Sequence, residues 1–70
     1  MEIILNGKKT VLEKEVTVRE FIDNLGKEKN MNLSGAVVLV NDDVVKKADW
    51  DKTVIKASSA VEVLSFVSGG

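Results

Sequence analysis

The chain has 70 residues, 44% of them hydrophobic and 30% charged, with 10 Lys and Arg against 11 Asp and Glu for a formal net charge of -1. A single domain of this length buries only about 60% of its unfolded surface, which leaves no room for a catalytic cleft, and the near-neutral balance gives no electrostatic case for nucleic acid. With no cysteine and no histidine, a disulfide framework, a thiolate metal site, a cysteine nucleophile and the usual imidazole acid–base group are all excluded.

Glu2-Ile3-Ile4-Leu5-Asn6 and Lys9-Thr10-Val11-Leu12-Glu13 are β-type runs on either side of Asn6-Gly7, the pair that tolerates positive φ at both central positions of a type I′ hairpin turn. Thr17 followed by Glu20 has capping-box spacing. Val18, Phe21, Ile22 and Leu25 then fall at i, i+3, i+4 and i+7, so one helical face is apolar. Gly26 is placed to end that helix. Lys27 to Ser34 is polar and reads as a connecting loop with room for one more helical turn, and Gly35 releases the chain into Ala36-Val37-Val38-Leu39-Val40, a strand apolar on both faces. Asn41-Asp42-Asp43 turns it into a short Val44-Val45 strand. A polar crossing from Lys46 to Lys52 is centred on Trp50, and Val61 to Val67 forms a last strand running into Ser68-Gly69-Gly70.

Strands with a single helix predict an α+β domain, a mixed sheet of four to five strands wrapped around one main helix in the β-grasp plan, with the first and last strands side by side at its centre. The domain is expected to span residues 1–66, with 67–70 a flexible C-terminal tail. The longest apolar runs are far shorter than a membrane span, and MEIILNGKK lacks the basic-then-apolar order of a signal peptide. The expected location is the cytoplasm, with no membrane partner and no nucleic acid.

In this order the residues resemble the ThiS family, the ubiquitin-like β-grasp sulfur carrier proteins of thiamine biosynthesis. The resemblance runs through Leu5-Asn6-Gly7, Thr17-Val18, the helix to Leu25, Val40-Asn41, Val44-Val45, Trp50, Val61-Glu62-Val63 and Gly69-Gly70. Two turns depart from the family pattern: Asp42 stands where Asn-Gly is common, and Ser58-Ser59-Ala60 where Asp-Gly is common. The short chain, without proline before its last residues, argues against the molybdopterin-synthase small subunit, a cousin with the same fold and tail that is the second reading. A ubiquitin-like protein modifier, forming isopeptide bonds after the same activation, is a third, and a plain interaction module with an inert tail a fourth.

The resemblance implies a carrier and protein substrate, with no catalytic residues of its own. A ThiF-type, E1-like adenylating enzyme would join AMP to the Gly70 carboxylate using ATP and Mg, and a persulfide sulfur donor would displace the AMP. The resulting C-terminal thiocarboxylate would pass its sulfur to a ThiG-type thiazole synthase. Val67, Ser68 and Gly69 would thread the partner's channel, where glycine avoids a Cβ against the walls. The carrier itself is expected to bind no cofactor and no metal: Asp42, Asp43, Asp49 and Asp51 lack calcium-loop spacing and read as solvated turn acids.

Alternation also predicts a docking face. With Val61, Val63, Ser65 and Val67 toward the helix, Glu62, Leu64 and Phe66 face outward, and Ile3 inward puts Ile4 outward beside them. Ile4, Leu64 and Phe66, with Leu39 as an addition, form a patch suited to a partner enzyme. Trp50 is expected to pack at the core edge rather than bind a partner.

Overall fold

The computed structural model describes residues 1–33 and 35–65. Five strands, Glu2–Leu5 (β1), Lys8–Val11 (β2), Val37–Val40 (β4), Asp43–Val45 (β5) and Ala60–Leu64 (β7), form one mixed sheet in the order β2-β1-β7-β4-β5. β1 and β7 are adjacent and parallel, and the other pairs are antiparallel. The expected β-grasp plan is thus present: among the described residues one α-helix packs on a five-stranded sheet, with the first and last strands together near the middle. Val16–Thr17 (β3) and Val54–Ile55 (β6) add a two-stranded antiparallel ladder that the sequence did not announce.

The first hairpin turns through Asn6 (φ 49) and Gly7 (φ 83), both left-handed as a type I′ turn requires. The second two-residue turn is Asn41-Asp42, with φ of 52 and 71, and Asp43 already belongs to β5. Asp42 therefore adopts the conformation that glycine would supply; aspartate is among the few L-residues that do so at modest cost. Ser58 (φ 68) stands in likewise before β7. Its N–H donates to the Glu2 carbonyl at 2.7 Å.

Helix α1 runs Val18–Lys29. Thr17 is its N-cap: Thr17 Oγ1 accepts from Glu20 N–H at 3.2 Å, and Glu20 Oε1 accepts from Thr17 N–H at 3.1 Å, the reciprocal capping box. The carboxyl is held below the usual glutamate range chiefly by the Thr17 backbone N–H and next by the Thr17 hydroxyl, which donates to Glu20 Oε1 at 3.2 Å. The next free amides find carbonyls on the crossing loop, Val18 N–H to Thr53 O at 2.8 Å and Arg19 N–H to Trp50 O at 3.1 Å, so the helix start is tied to the rest of the fold.

At its other end the helix does not stop at Gly26. It continues to Lys29 and is capped by Asn30 in the left-handed region (φ 55), so the expected C-cap moves by one turn. Gly26 serves a different purpose. The chain folds back so closely that a Cβ there would lie 2.9 Å from the Met31 carbonyl oxygen, and Met31 N–H bonds the Gly26 carbonyl at 2.8 Å.

Val18, Phe21 and Ile22 bury the predicted helix face, and Leu25 packs half-buried beside them. Opposite lie Ile3, Val38, Val61 and Val63 from the sheet, with Leu33, Trp50 and Ile55 closing the ends. Trp50 follows a 3-10 turn at Lys47–Asp49 and is only 2% exposed; its indole N–H donates to the Val45 carbonyl at 3.0 Å. The ring is a core residue with its one polar atom satisfied, as expected.

Candidate functional site

β7 is the strand that leads toward the terminal glycines, and it is gripped from both sides. Ile4 N–H donates to Ser59 O and Asn6 N–H to Val61 O, each at 2.9 Å, which makes the parallel ladder with β1. On the other side β4 pairs with β7 from Val37↔Leu64 to Val40↔Val61. Phe66, Val67, Ser68, Gly69 and Gly70 lie outside the described residues.

Two asparagine side chains extend this grip beyond the ladders. Asn6 sits where β1 ends; its Oδ1 accepts from Val63 N–H at 2.9 Å, and its Nδ2 donates to Val63 O at 3.4 Å. Asn41, in the other turn, accepts from Ala60 N–H through Oδ1 at 2.9 Å while its own N–H donates to Ala60 O at 2.7 Å. Each side chain mimics a peptide group, replacing a strand bond that the turn has taken away. The same left-handed backbone that makes Asn a turn residue also aims its amide at β7. Both turns are legible in the sequence but the clamps are not, since nothing local signals partners 57 and 19 residues away.

The sheet face turned away from α1 carries the candidate docking surface. Cross-strand register puts Val37 opposite Leu64, and Leu39 opposite both Glu62 and Val44; directly opposed residues share a face. Leu64 is 46% exposed and Val44 63%, while Val37 and Leu39 are half-buried. Leu39 is therefore the centre of a contiguous apolar group formed with Val37, Val44 and Leu64, rather than an addition at its margin. Ile4 is on the same face, but it lies opposite Ala60, four residues along β7 from Leu64, or about 13 Å at strand rise. Glu62 stands between them.

The turn acids are dispersed: Asp42, Asp43, Asp49 and Asp51 are all exposed, and among the described residues no three of His, Cys, Asp and Glu gather into a ligand set. No helix among the described residues is long and apolar enough to cross a membrane.

Comparisons with known proteins agree with this architecture. The crystal structure of the thiamine biosynthesis protein ThiS from Geobacter metallireducens is similar over the full length of both chains, with 29% identity and a TM-score of 0.83. An NMR solution structure of a thiamine biosynthesis protein from the same organism matches all of this chain and 88% of its own, at 29% identity and a TM-score of 0.79. No curated protein sequence matches. The family model described as the ThiS family matches residues 1–70, and the chain belongs to that family.

Proposed function

We propose that this protein is a sulfur carrier of thiamine biosynthesis whose reactive group is the main-chain carboxylate of Gly70. The observation that carries the reading is the family match across residues 1–70, which takes in the terminal Gly69-Gly70. It is supported by the likeness to two solved structures, crystal and NMR, of one protein from Geobacter metallireducens described as a thiamine biosynthesis protein.

A carboxylate resists attack because it is already negative and would have to expel oxide. Adenylation by an E1-like partner using Mg-ATP makes an acyl adenylate with release of pyrophosphate, and AMP is then a competent leaving group. A persulfide sulfur attacks the Gly70 carbonyl carbon and expels AMP, giving an acyl disulfide. A second thiol cleaves that S–S bond, is itself oxidised to a disulfide, and leaves the thiocarboxylate. Having no cysteine, the carrier offers no side-chain thiol to compete for the sulfur. A thiazole synthase would be the acceptor.

In this scheme the domain is a handle. The apolar face of Val37, Leu39, Val44 and Leu64 docks the adenylating enzyme, with Ile4 and Phe66 as further contacts, and the clamped β7 fixes where the chain enters the partner's channel. Val67, Ser68 and Gly69 thread it, the glycine for want of a Cβ.

The test is intact-mass spectrometry after incubation with an adenylating enzyme of this family, Mg-ATP and a persulfide donor. The expected product is this chain with one oxygen replaced by sulfur. Deleting Gly70, or adding one residue after it, should abolish the exchange, because displacing a reacting group by about 1 Å can cost on the order of a hundredfold in rate. Normal sulfur acquisition by the extended chain would refute Gly70 as the site, and conjugates that survive reducing gels would favour a protein modifier instead.

A further inference from the structure

The edge of the sheet farthest from the docking face is formed by β2. Met1 and Leu12 exchange backbone bonds at 2.7 and 2.8 Å, and alternation along an antiparallel ladder then directs Thr10 and Lys8 toward β1 as well, in register with Ile3 and Leu5. The backbone N–H and C=O groups of Lys9 and Val11 therefore point outward, at a free edge. Beside that edge, between β2 and α1, an open groove of about 720 Å³ is floored by Leu5, Leu12, Val16, Phe21 and Leu25. Four of these five are only half-buried, so the groove keeps apolar surface in contact with water. Its rim is basic: Lys8, Lys9, Lys14 and Lys29 outnumber Glu13 and Glu28.

We propose that this groove is a second binding site, which takes an extended acidic segment of a partner protein as a sixth strand on β2. The four free main-chain groups of Lys9 and Val11 match a short strand's hydrogen bonding. Alternate side chains of that strand drop between β2 and α1, where apolar residues fit. The others lie outward beside Lys9, where aspartate or glutamate fits. Charge decides against a second copy of this chain as the occupant, because pairing β2 with itself would bring Lys8, Lys9 and Lys14 of both copies to one seam. The Val37, Leu39, Val44 and Leu64 group lies on β4, β5 and β7, with β1 between it and β2, so the groove on the α1 side of β2 can be filled while the carrier is docked there.

The experiment uses the whole chain, isotope-labelled, with a blocked peptide of alternating valine and aspartate as probe. Amide shifts are expected at Lys9, Val11 and Leu25. Affinity should fall at least tenfold when the aspartates are replaced by lysine, and at least tenfold again for a peptide N-methylated at the residues facing the edge, which removes its donors without touching the protein. The double variant Lys8→Glu/Lys9→Glu should reverse the charge preference. Shifts confined to Val37, Leu39 and Leu64, equal binding of the N-methylated peptide, or no shifts at millimolar peptide would overturn the proposal. So would concentration-dependent shifts at Lys9 and Val11 in the chain alone, which would assign the edge to a second copy.

Discussion

Replacing Asn6 separates two contributions that the structure combines in one residue. Asn6→Gly keeps the left-handed turn, since glycine adopts φ near 49 freely, but deletes both bonds to Val63. The 2.9 Å bond satisfies an amide whose residue is only 9% exposed, and leaving such a donor unpaired costs about 1–3 kcal/mol. The 3.4 Å bond adds little, and the extra freedom of glycine in the unfolded chain adds roughly 0.5 kcal/mol. The expected loss is about 1.5–3.5 kcal/mol, and for a domain of this size each kcal/mol lowers Tm by about 4–8 °C. Asn6→Ala should lose about 1 kcal/mol more, because alanine must also be forced into the left-handed region. Asn6→Asp should lose less than either, as the carboxylate still accepts from Val63 N–H. Urea unfolding followed by the fluorescence of Trp50, the single buried tryptophan, measures all three, and hydrogen exchange at the Val63 amide reports the clamp directly. If Asn6→Gly falls within 0.5 kcal/mol of the parent by the roughly 1 kcal/mol yardstick of a net hydrogen bond, or Val63 exchange is unchanged, the clamp contributes nothing.

Gly26→Ala should destabilise by about 1–2 kcal/mol by chemical denaturation although alanine is the better helix former by about 1 kcal/mol, because its Cβ would sit 2.9 Å from the Met31 oxygen. Stability should also depend on pH through the capping box. The folded state holds the Glu20 pKa below its unfolded value, so this contribution is complete above the unfolded value and disappears as pH falls through the folded one. Glu20→Gln should remove that dependence, visible as a flatter Tm-versus-pH curve on the acid side. Leu64→Asp and Val44→Asp, at exposed positions, should leave Tm within a few degrees while weakening binding to the adenylating enzyme at least tenfold in calorimetric titration, the cost of burying an unpaired charge.

Much of this molecule is legible locally. Asn6-Gly7 specifies its turn because two consecutive residues must take positive φ, and Thr17 with Glu20 specifies the helix start because both partners of the box lie within one turn. Alternation is enough to turn Ile4 and Leu64 outward, whereas Leu39, in a strand apolar on both faces, is placed only by its register. Other features depend on register, which a single strand does not encode: Val37 and Val44 join the candidate docking face only once β4 is set against β7 and β5. β3 and β6 have two residues each, too few for any period to show. Gly26 misleads because glycine serves both a left-handed cap and a close approach; here the cap fell to Asn30 and the approach to Gly26.

The parallel arrangement of β1 and β7 has a mechanical consequence. A pull on the chain beyond Ser65, against an anchor at the N-terminal end of β1, runs along both strands, so the hydrogen bonds between them and the Asn6 clamp on Val63 are loaded together in shear rather than peeled singly. β7 also bears on β4 across four residue pairs, which spreads the force over the centre of the sheet. A partner that drew the tail into a deep channel would thus strain against the strongest direction of the fold. A force spectrum should show a higher rupture force for this geometry than for pulling β2 away from β1, where the bonds open one at a time.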